Sequence, residues 1–232
     1  MLLAVLSGFI LALFAPLICR VAGDRCGWVF ALLPATLFVW FAWLLPEVMA
    51  NGAQVVRYPW FPAMEINLDF LIDGLSLMFA LLISGIGTFI LIYAGGYLKG
   101  HPYLGRFYVV MLSFMASMLG VVLSDNLVTL FVFWELTSIT SYLLIGFEHE
   151  DVKARASALQ GLFVTVAGGL ALMAGLIMLG TMAGSYSLND VLASDADLLG
   201  HEWAVPMLLC ILAGAFTKSA QVPFHFWLPN AM

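Results

Sequence analysis

Apolar residues come in long unbroken runs along this chain, and polar residues gather between them. A helix needs about 20 mostly apolar residues to cross a hydrocarbon core. Seven runs qualify: 2–19, 28–45, 75–97, 107–123, 127–147, 157–181 and 205–226. They are continuous rather than alternating with period two, which argues against a β-barrel. The pattern predicts an all-α integral membrane protein with about seven transmembrane helices, the last one broken near Pro223. Two connections are longer than the rest. Residues 46–74 carry Pro59 and Pro62, and the runs 55–58 and 65–70, from Val55 and from Glu65, partly alternate, which predicts a small hairpin. Residues 184–202 are acidic and polar and read as a loop with a short helix.

Composition agrees with the hydropathy pattern. The chain is 63% hydrophobic and 9% charged, with a mean hydropathy of +1.05, whereas soluble domains carry about 25% charged residues. The net charge of -6 comes without a basic patch, so the chain is not read as binding nucleic acid. Cys19, Cys26 and Cys210 lack CxxC or Cys/His spacing, and Cys19 and Cys210 read as buried apolar fillers. No metal or cofactor pattern is present, so any redox chemistry would lie in partners. The first run has no basic flank before it and no small-residue cleavage site after Cys19, so it is kept as an uncleaved span.

Lysine and arginine placement orients the helices. Arg20, Arg25, Lys99, Arg106, Lys153 and Arg155 lie in odd-numbered loops, and Arg57 alone lies in an even one. The odd loops are therefore expected on the cytoplasmic side, with the N-terminus outside. The outer loops hold nine of the fourteen acids, among them Glu47, Asp73, Asp190 and Asp197. They read as a solvated acidic surface. Residues 1–106 are taken as an N-terminal part of three helices with an outer loop at 46–74, and 107–232 as a second part of four helices.

Two spans hold a lone ionisable residue, Glu135 in the fifth and Lys218 in the seventh. A charge at mid-bilayer costs about 2.5–3.5 kcal/mol on insertion scales, so such residues mark ion or proton paths. Burial disfavours the ionised carboxylate and a nearby cation favours it. A proton carrier needs the two in balance. Ser138 and Tyr142 follow Glu135 at three and seven residues, share its face, and are candidate relays expected to hydrogen-bond the carboxylate or ordered water. Lys218, Gln221 and His225 fall at i, i+3 and i+7, while Pro223 denies the carbonyl of Ser219 its donor and breaks the helix. Broken helices at membrane depth line cavities and ion sites. Gln221 and His225 are candidate relays, since an imidazole exchanges protons near neutral pH. Glu148, His149 and Asp151 are candidates for proton uptake, with a solvated charged loop as the competing reading. Asp125 is expected to cap the fifth helix. In the sixth span, Ala167, Ala171 and Gly175 are expected to pack closely against another helix.

The runs Ser124-Asp125-Asn126-Leu127, Phe131-Val132-Phe133-Trp134-Glu135-Leu136-Thr137-Ser138 and Tyr142-Leu143-Leu144-Ile145-Gly146 resemble the antiporter-like subunits of respiratory complex I and of Mrp-type cation/proton antiporters. So does the stretch from Thr217-Lys218-Ser219-Ala220-Gln221-Val222-Pro223 to Met232. The resemblance covers the whole chain. It implies that Glu135 and Lys218 form the central proton-handling pair of a secondary transporter, not of an enzyme. It further implies partnership with other membrane subunits of the same complex, in a cell membrane, with protons and monovalent cations such as Na+ as cargo. The pieces Asp73-Gly74-Leu75-Ser76 and Leu82-Ile83-Ser84-Gly85-Ile86-Gly87-Thr88 favour the large A-type subunit of Mrp antiporters. The apolar stretch Val164-Thr165-Val166-Ala167-Gly168-Gly169 departs from the largest complex I subunit, which has an Arg and an Asp there. Two alternatives stand beside this one: a proton-pumping subunit of a complex I-like dehydrogenase, and a purely structural membrane subunit. Family members hold two inverted repeats, so the chain is expected to be a fragment or half of a split subunit.

Overall fold

The computed structural model describes residues 1–61, 66–194 and 198–232. Pro62, Glu65 and Asp197, named above, lie outside the described residues. The described chain forms two compact units.

The first unit comprises residues 1–56 and 70–123. It holds α1 (Leu2–Ala22), α2 (Cys26–Asn51), α3 (Gly74–Tyr97) and α4 (Leu104–Leu123). α2 does not stop at the first proline after its apolar run. It continues through Pro46 to Asn51 and ends at Gly52, whose φ of 79° is open to glycine. The expected loop therefore begins later than the sequence suggested. Helix α3 starts behind Asp73, which accepts from the Ser76 amide at 2.7 Å while Ser76 Oγ accepts from the Asp73 amide at 2.8 Å. This reciprocal cap satisfies two amides that the helix itself leaves open. Strand β1 (Gln54–Val56) pairs antiparallel with β4 (Phe70–Ile72).

The core of this unit is apolar and tight. Phe30 stacks on Tyr108 at 4.5 Å between centroids, beside Cys26, Leu91, Leu112 and Met115. Gly27 permits a close approach, since a Cβ there would lie 2.8 Å from both the Leu91 carbonyl and the Tyr108 hydroxyl. Gly87 faces Met115 and Gly85 faces Phe38, so both serve helix packing. Cys26 is the fully buried thiol, while Cys19 and Cys210 are partly exposed, which corrects the reading of those two as buried fillers. Their positions lie at the edges of the apolar contacts and not inside them.

The second unit comprises residues 57–69 and 124–232. An arm holds β2 (Pro59–Phe61) and β3 (Ile66–Asn67), paired antiparallel, so the expected hairpin forms. The unit then contains α5 (Leu127–Ile145), α6 (Val152–Ala183), the short α7 (Leu188–Ala193), α8 (Ala204–Lys218) and the terminal turn α9 (Trp227–Ala231). α7 is the short helix expected within residues 184–202. Among the described residues, six helices are long and apolar enough to cross a membrane, and α8 is a shorter apolar one. Together they make a multi-pass membrane protein of about seven helices.

Candidate functional site

The site is built on α5, α6 and α8 of the second unit. α6 packs along both α5 and α8. Small residues allow this. A Cβ at Gly168 would collide with the side chain of Thr217, and one at Gly175 would come within 2.7 Å of Ile211. The close face thus runs through Gly168 and Gly175. The Ala167–Ala171 register expected from sequence is one residue off: Ala167 is exposed and lines a cavity with Ala171, Thr217 and Pro223. Both alanines share the small-residue spacing, but the two glycines have no side chain at all, so they are the positions that admit a neighbouring backbone.

Lys218 is the last residue of α8, and the helix does not reach Pro223. Residue 222 precedes a proline and is pushed away from α geometry. The backbone turns before it, with Ala220 in the left-handed region at φ 53°. The exposed carbonyls of the last turn find other donors. The Gln221 amide donates to the Phe216 carbonyl at 2.9 Å, and the indole of Trp227 donates to the Thr217 carbonyl at 3.0 Å. A 3₁₀ turn at Phe224–Phe226 then leads into α9. Consequently Gln221 and His225 lie beyond the helix end and are exposed; they do not share a helical face with Lys218. The i, i+3, i+7 pattern presumed a continuous helix that proline chemistry prevents.

The Lys218 ammonium reaches α5. Nζ donates to Ser138 Oγ at 2.8 Å, sits 5.4 Å from the Trp134 ring centroid, and lies 3.5 Å from the Trp134 carbonyl. The Ser138 hydroxyl in turn points at the Trp134 carbonyl, at 3.4 Å. Ser138 therefore serves the lysine and not the carboxylate, although it shares the face of Glu135. Glu135 makes no direct ion pair with Lys218. Its carboxylate points at α6, where a Cβ on Gly169 would fall on Oε1. Buried Oε1 of Glu135 and buried Nε1 of Trp134 both lack a hydrogen-bond partner. Two unpaired polar atoms flanking an ammonium are costly, by about 1–3 kcal/mol each. Tyr142 is half-buried further along α5 and bonds to neither charge.

The sequence singles out Glu135, Lys218 and Ser138, but not Trp134, Gly169 and Thr217, which the structure places beside them. Trp134 stands four residues before Ser138, a spacing that shares a helical face. The paired glycines 168 and 169 were a signal of close approach inside an apolar helix.

The remaining candidates lie elsewhere. Asp151 caps α6, accepting from the Lys153 amide at 2.9 Å, and the His149 carbonyl accepts from Arg155 Nη1 at 2.8 Å. Glu148 is exposed and His149 half-buried in the same turn. Asn126, not Asp125, caps α5: its side chain accepts from the amides of Val128 and Thr129. Asp125 sits one residue too early to reach those amides. It is fully buried and accepts instead from the Ser187 hydroxyl at 2.7 Å and the Asn189 amide at 2.9 Å.

Two family descriptions match the chain. "NADH:quinone oxidoreductase/Mrp antiporter, TM" covers residues 124–232, and "NADH-Ubiquinone oxidoreductase (complex I), chain 5 N-terminus" covers residues 60–108. The A-type subunit of the Na(+)/H(+) antiporter of Alkalihalophilus pseudofirmus is 43% identical over 231 residues, which is 99% of this chain and 29% of that protein. The A1-type subunit of the Na(+)/H(+) antiporter of Staphylococcus haemolyticus is 41% identical, with the same two shares covered. Among solved structures, a chain of the Mrp complex from Dietzia sp. DQ12-45-1b superposes with a TM-score of 0.86 at 34% identity, over 99% of this chain and 25% of that one. A chain of respiratory complex I from Thermus thermophilus with bound NADH shares the fold, with a TM-score of 0.77 at 22% identity, over 99% of this chain and 46% of that one. The chain thus spans 29% of the length of the two antiporter relatives it matches.

Proposed function

The chain belongs to the family of antiporter-like membrane subunits and corresponds to the N-terminal part of the A-type subunit of Mrp antiporters, and we propose that it carries part of the proton path of a multisubunit monovalent cation (Na+)/proton antiporter. In this reading it is a component of a secondary transporter and not an enzyme. It works with the other membrane subunits of its complex in the cell membrane, with the N-terminus outside. The names of its relatives favour the antiporter over the proton-pumping dehydrogenase reading.

One observation carries the proposal. Lys218 is held on α5 by Ser138 and Trp134, one residue and one turn from Glu135, whose buried Oε1 has no partner. The two charges are close enough to interact without touching. A static bridge would close that gap, because an unpaired charge in this medium is costly. An open gap lets each group change protonation in response to the other. A proton taken up by Glu135 removes the negative charge that favours the ammonium. Lys218 then releases its proton onward, and Gln221 and His225, past the end of α8, are the nearest candidates along the chain. Glu148, His149 and Asp151 remain the candidates for uptake, although Asp151 also caps α6.

A double-mutant cycle tests the pairing in the assembled antiporter, with cation-driven proton movement read in inverted vesicles. The losses in Glu135→Gln and Lys218→Met are expected to be strongly non-additive, as for groups acting as one unit. Strict additivity would overturn the pairing, and near-normal transport in both variants would leave only the structural reading. Orientation has its own check: cysteines placed at His101 and Ser194 should react with an impermeant reagent from the cytoplasmic and outer sides respectively.

A further inference from the structure

The second unit contains another buried carboxylate, far from Glu135 in sequence and outside every membrane-spanning helix. Asp69, at the foot of the arm, is only 3% exposed, and its Oδ1 has no hydrogen-bond partner. It lines a cavity of about 340 Å³ together with Arg57, Asn67, Asn126, Ser187 and Asp190. Three segments remote in sequence are fastened together around it. The Asp125 amide donates to the Asp69 carbonyl at 2.8 Å, Thr129 Oγ1 donates to the Asn67 carbonyl at 2.8 Å, and the Leu127 amide donates to the Tyr186 carbonyl at 2.8 Å. A position this firmly held does not leave a carboxylate oxygen unpaired by slack.

We propose that this cavity is a binding site for a partly hydrated alkali cation, sodium in the first instance, with Asp69 Oδ1 as its charged ligand. The donors already present are spoken for, which is why the oxygen is free. The first amides of α5 are taken by Asn126, and both oxygens of Asp125 are engaged by the Ser187 hydroxyl and the Asn189 amide. The guanidinium of Arg57 pairs with Asp190 at 3.6 Å. Asp69 and Asp190 line the cavity with one guanidinium, that of Arg57, and Asp125 acts on Asp69 from beside it, so the balance is negative. Burial pushes the Asp69 carboxyl above its usual range, against the pull of Arg57 and with the push of Asp125. The Tyr58 amide and the Asn67 side chain offset part of that cost, and a cation on the unpaired oxygen would relieve the rest.

The ligand chemistry narrows the class. The cavity offers hard oxygens and no thiol or imidazole, which excludes soft transition metals. Among the described residues, no group of three or more His, Cys, Asp and Glu side chains could hold a metal ion. A tight calcium site would need several carboxylates around one ion. One free carboxylate oxygen, with amide and hydroxyl groups and room for water, suits a singly charged ion that keeps part of its hydration shell. The site stands on this geometry, and it rests on the proposed function only for the choice of sodium as probe.

The test is radioactive sodium binding to the purified, assembled antiporter complex, without any gradient, against choline and potassium controls. Asp69→Asn should weaken sodium binding by about tenfold or more, as expected when a ligand is removed. Arg57→Gln should tighten it by about threefold, since one exposed competing charge is lost. Both residues lie on the arm, and Arg57 is solvent-exposed, so its variant is expected to assemble even if Asp69→Asn does not. Glu135→Gln should leave the binding unchanged. Sodium binding that is the same in the wild type, Asp69→Asn and Arg57→Gln complexes would overturn the site. If Asp69→Asn does not assemble, an unchanged affinity in Arg57→Gln overturns it alone. Because no transport is measured, a failure of the proton-path reading would show in the double-mutant cycle and not here.

Discussion

The two units of this chain treat buried polar atoms differently. In the first unit the polar groups inside the helices are absorbed. Ser84, Ser113 and Ser117 bond back to carbonyls of their own helices, and the Tyr108 hydroxyl donates to the Leu91 carbonyl at 3.1 Å. In the second unit many are absorbed in the same way, as Thr137, Thr140 and Thr165 are, but a few are left open. All three buried side-chain atoms without a partner among the described residues, Asp69 Oδ1, Trp134 Nε1 and Glu135 Oε1, belong to it. Both units are built from similarly apolar helices, so hydropathy does not separate them. What separates them is whether polar chemistry has been closed off or kept available. In the proposed reading the first unit is scaffold, and the second holds the groups that change state.

The largest effect expected from this contrast is on Glu135. Glu135→Gln keeps the shape but removes the proton exchange, and transport by the assembled complex should fall by about a thousandfold, in the range seen when a proton-transfer group is removed. Complex recovery after purification should be normal. A variant that still couples well would place Glu135 among the absorbed polar groups and dissolve the contrast.

Next come two glycines, one in each unit. At Gly169 the added methyl would displace the Glu135 carboxylate, which is the free end of a flexible side chain. Gly169→Ala should cost transport by about a hundredfold, since misplacement by about 1 Å at a reacting group has that order of effect, with little change in melting temperature. At Gly27 the methyl would press on a backbone carbonyl and a buried phenol. Gly27→Ala should destabilise by about 1–3 kcal/mol and leave transport per assembled complex unchanged. A reversal of the two signatures would break the division of labour.

The smallest effects concern two hydroxyls. Ser138→Ala removes a bond to a charged group, worth about 1.5–3 kcal/mol, and should slow transport about tenfold. Tyr108→Phe removes a neutral bond worth about 1 kcal/mol, and should lower thermal stability alone. Measuring both variants in one vesicle preparation sharpens the comparison, because protein amount is then controlled.

Much of this was readable from the chain. The apolar runs marked the spans because continuous hydrophobicity over that length has few other solutions. Glu135 and Lys218 stood out because each was alone in such a run. What escaped depends on contacts between distant segments. Asp69 sits in a short, partly alternating stretch, and nothing there says that residues 125–129 and 185–190 close over it. On α6 the expected Gly175 does lie on the close face, but Ala167 stands one position from Gly168, since alanine and glycine look alike to a spacing rule and differ only when a neighbour's backbone arrives. The end of α8 was placed too late because the run of apolar residues continues to Phe226 while the backbone has already turned at Ala220. Asp125 and Asn126 are both good caps, and only the fold decides which of the two faces the helix.

The early end of α8 has a geometric consequence. Fifteen residues at about 1.5 Å each make a rod of about 22 Å, against a hydrocarbon slab of about 30 Å. The rod begins just after His201, Glu202 and Trp203, residue types that sit where water meets lipid. With Trp203 at the water–lipid boundary, its tip, with Lys218, would stop roughly three quarters of the way across. The depth of that charge is set by counting residues, as on a ruler. One residue inserted between Ala204 and Gly214 would push the ammonium about 1.5 Å deeper and swing it by about 100° around the axis, away from Ser138, with no change to any residue of the site.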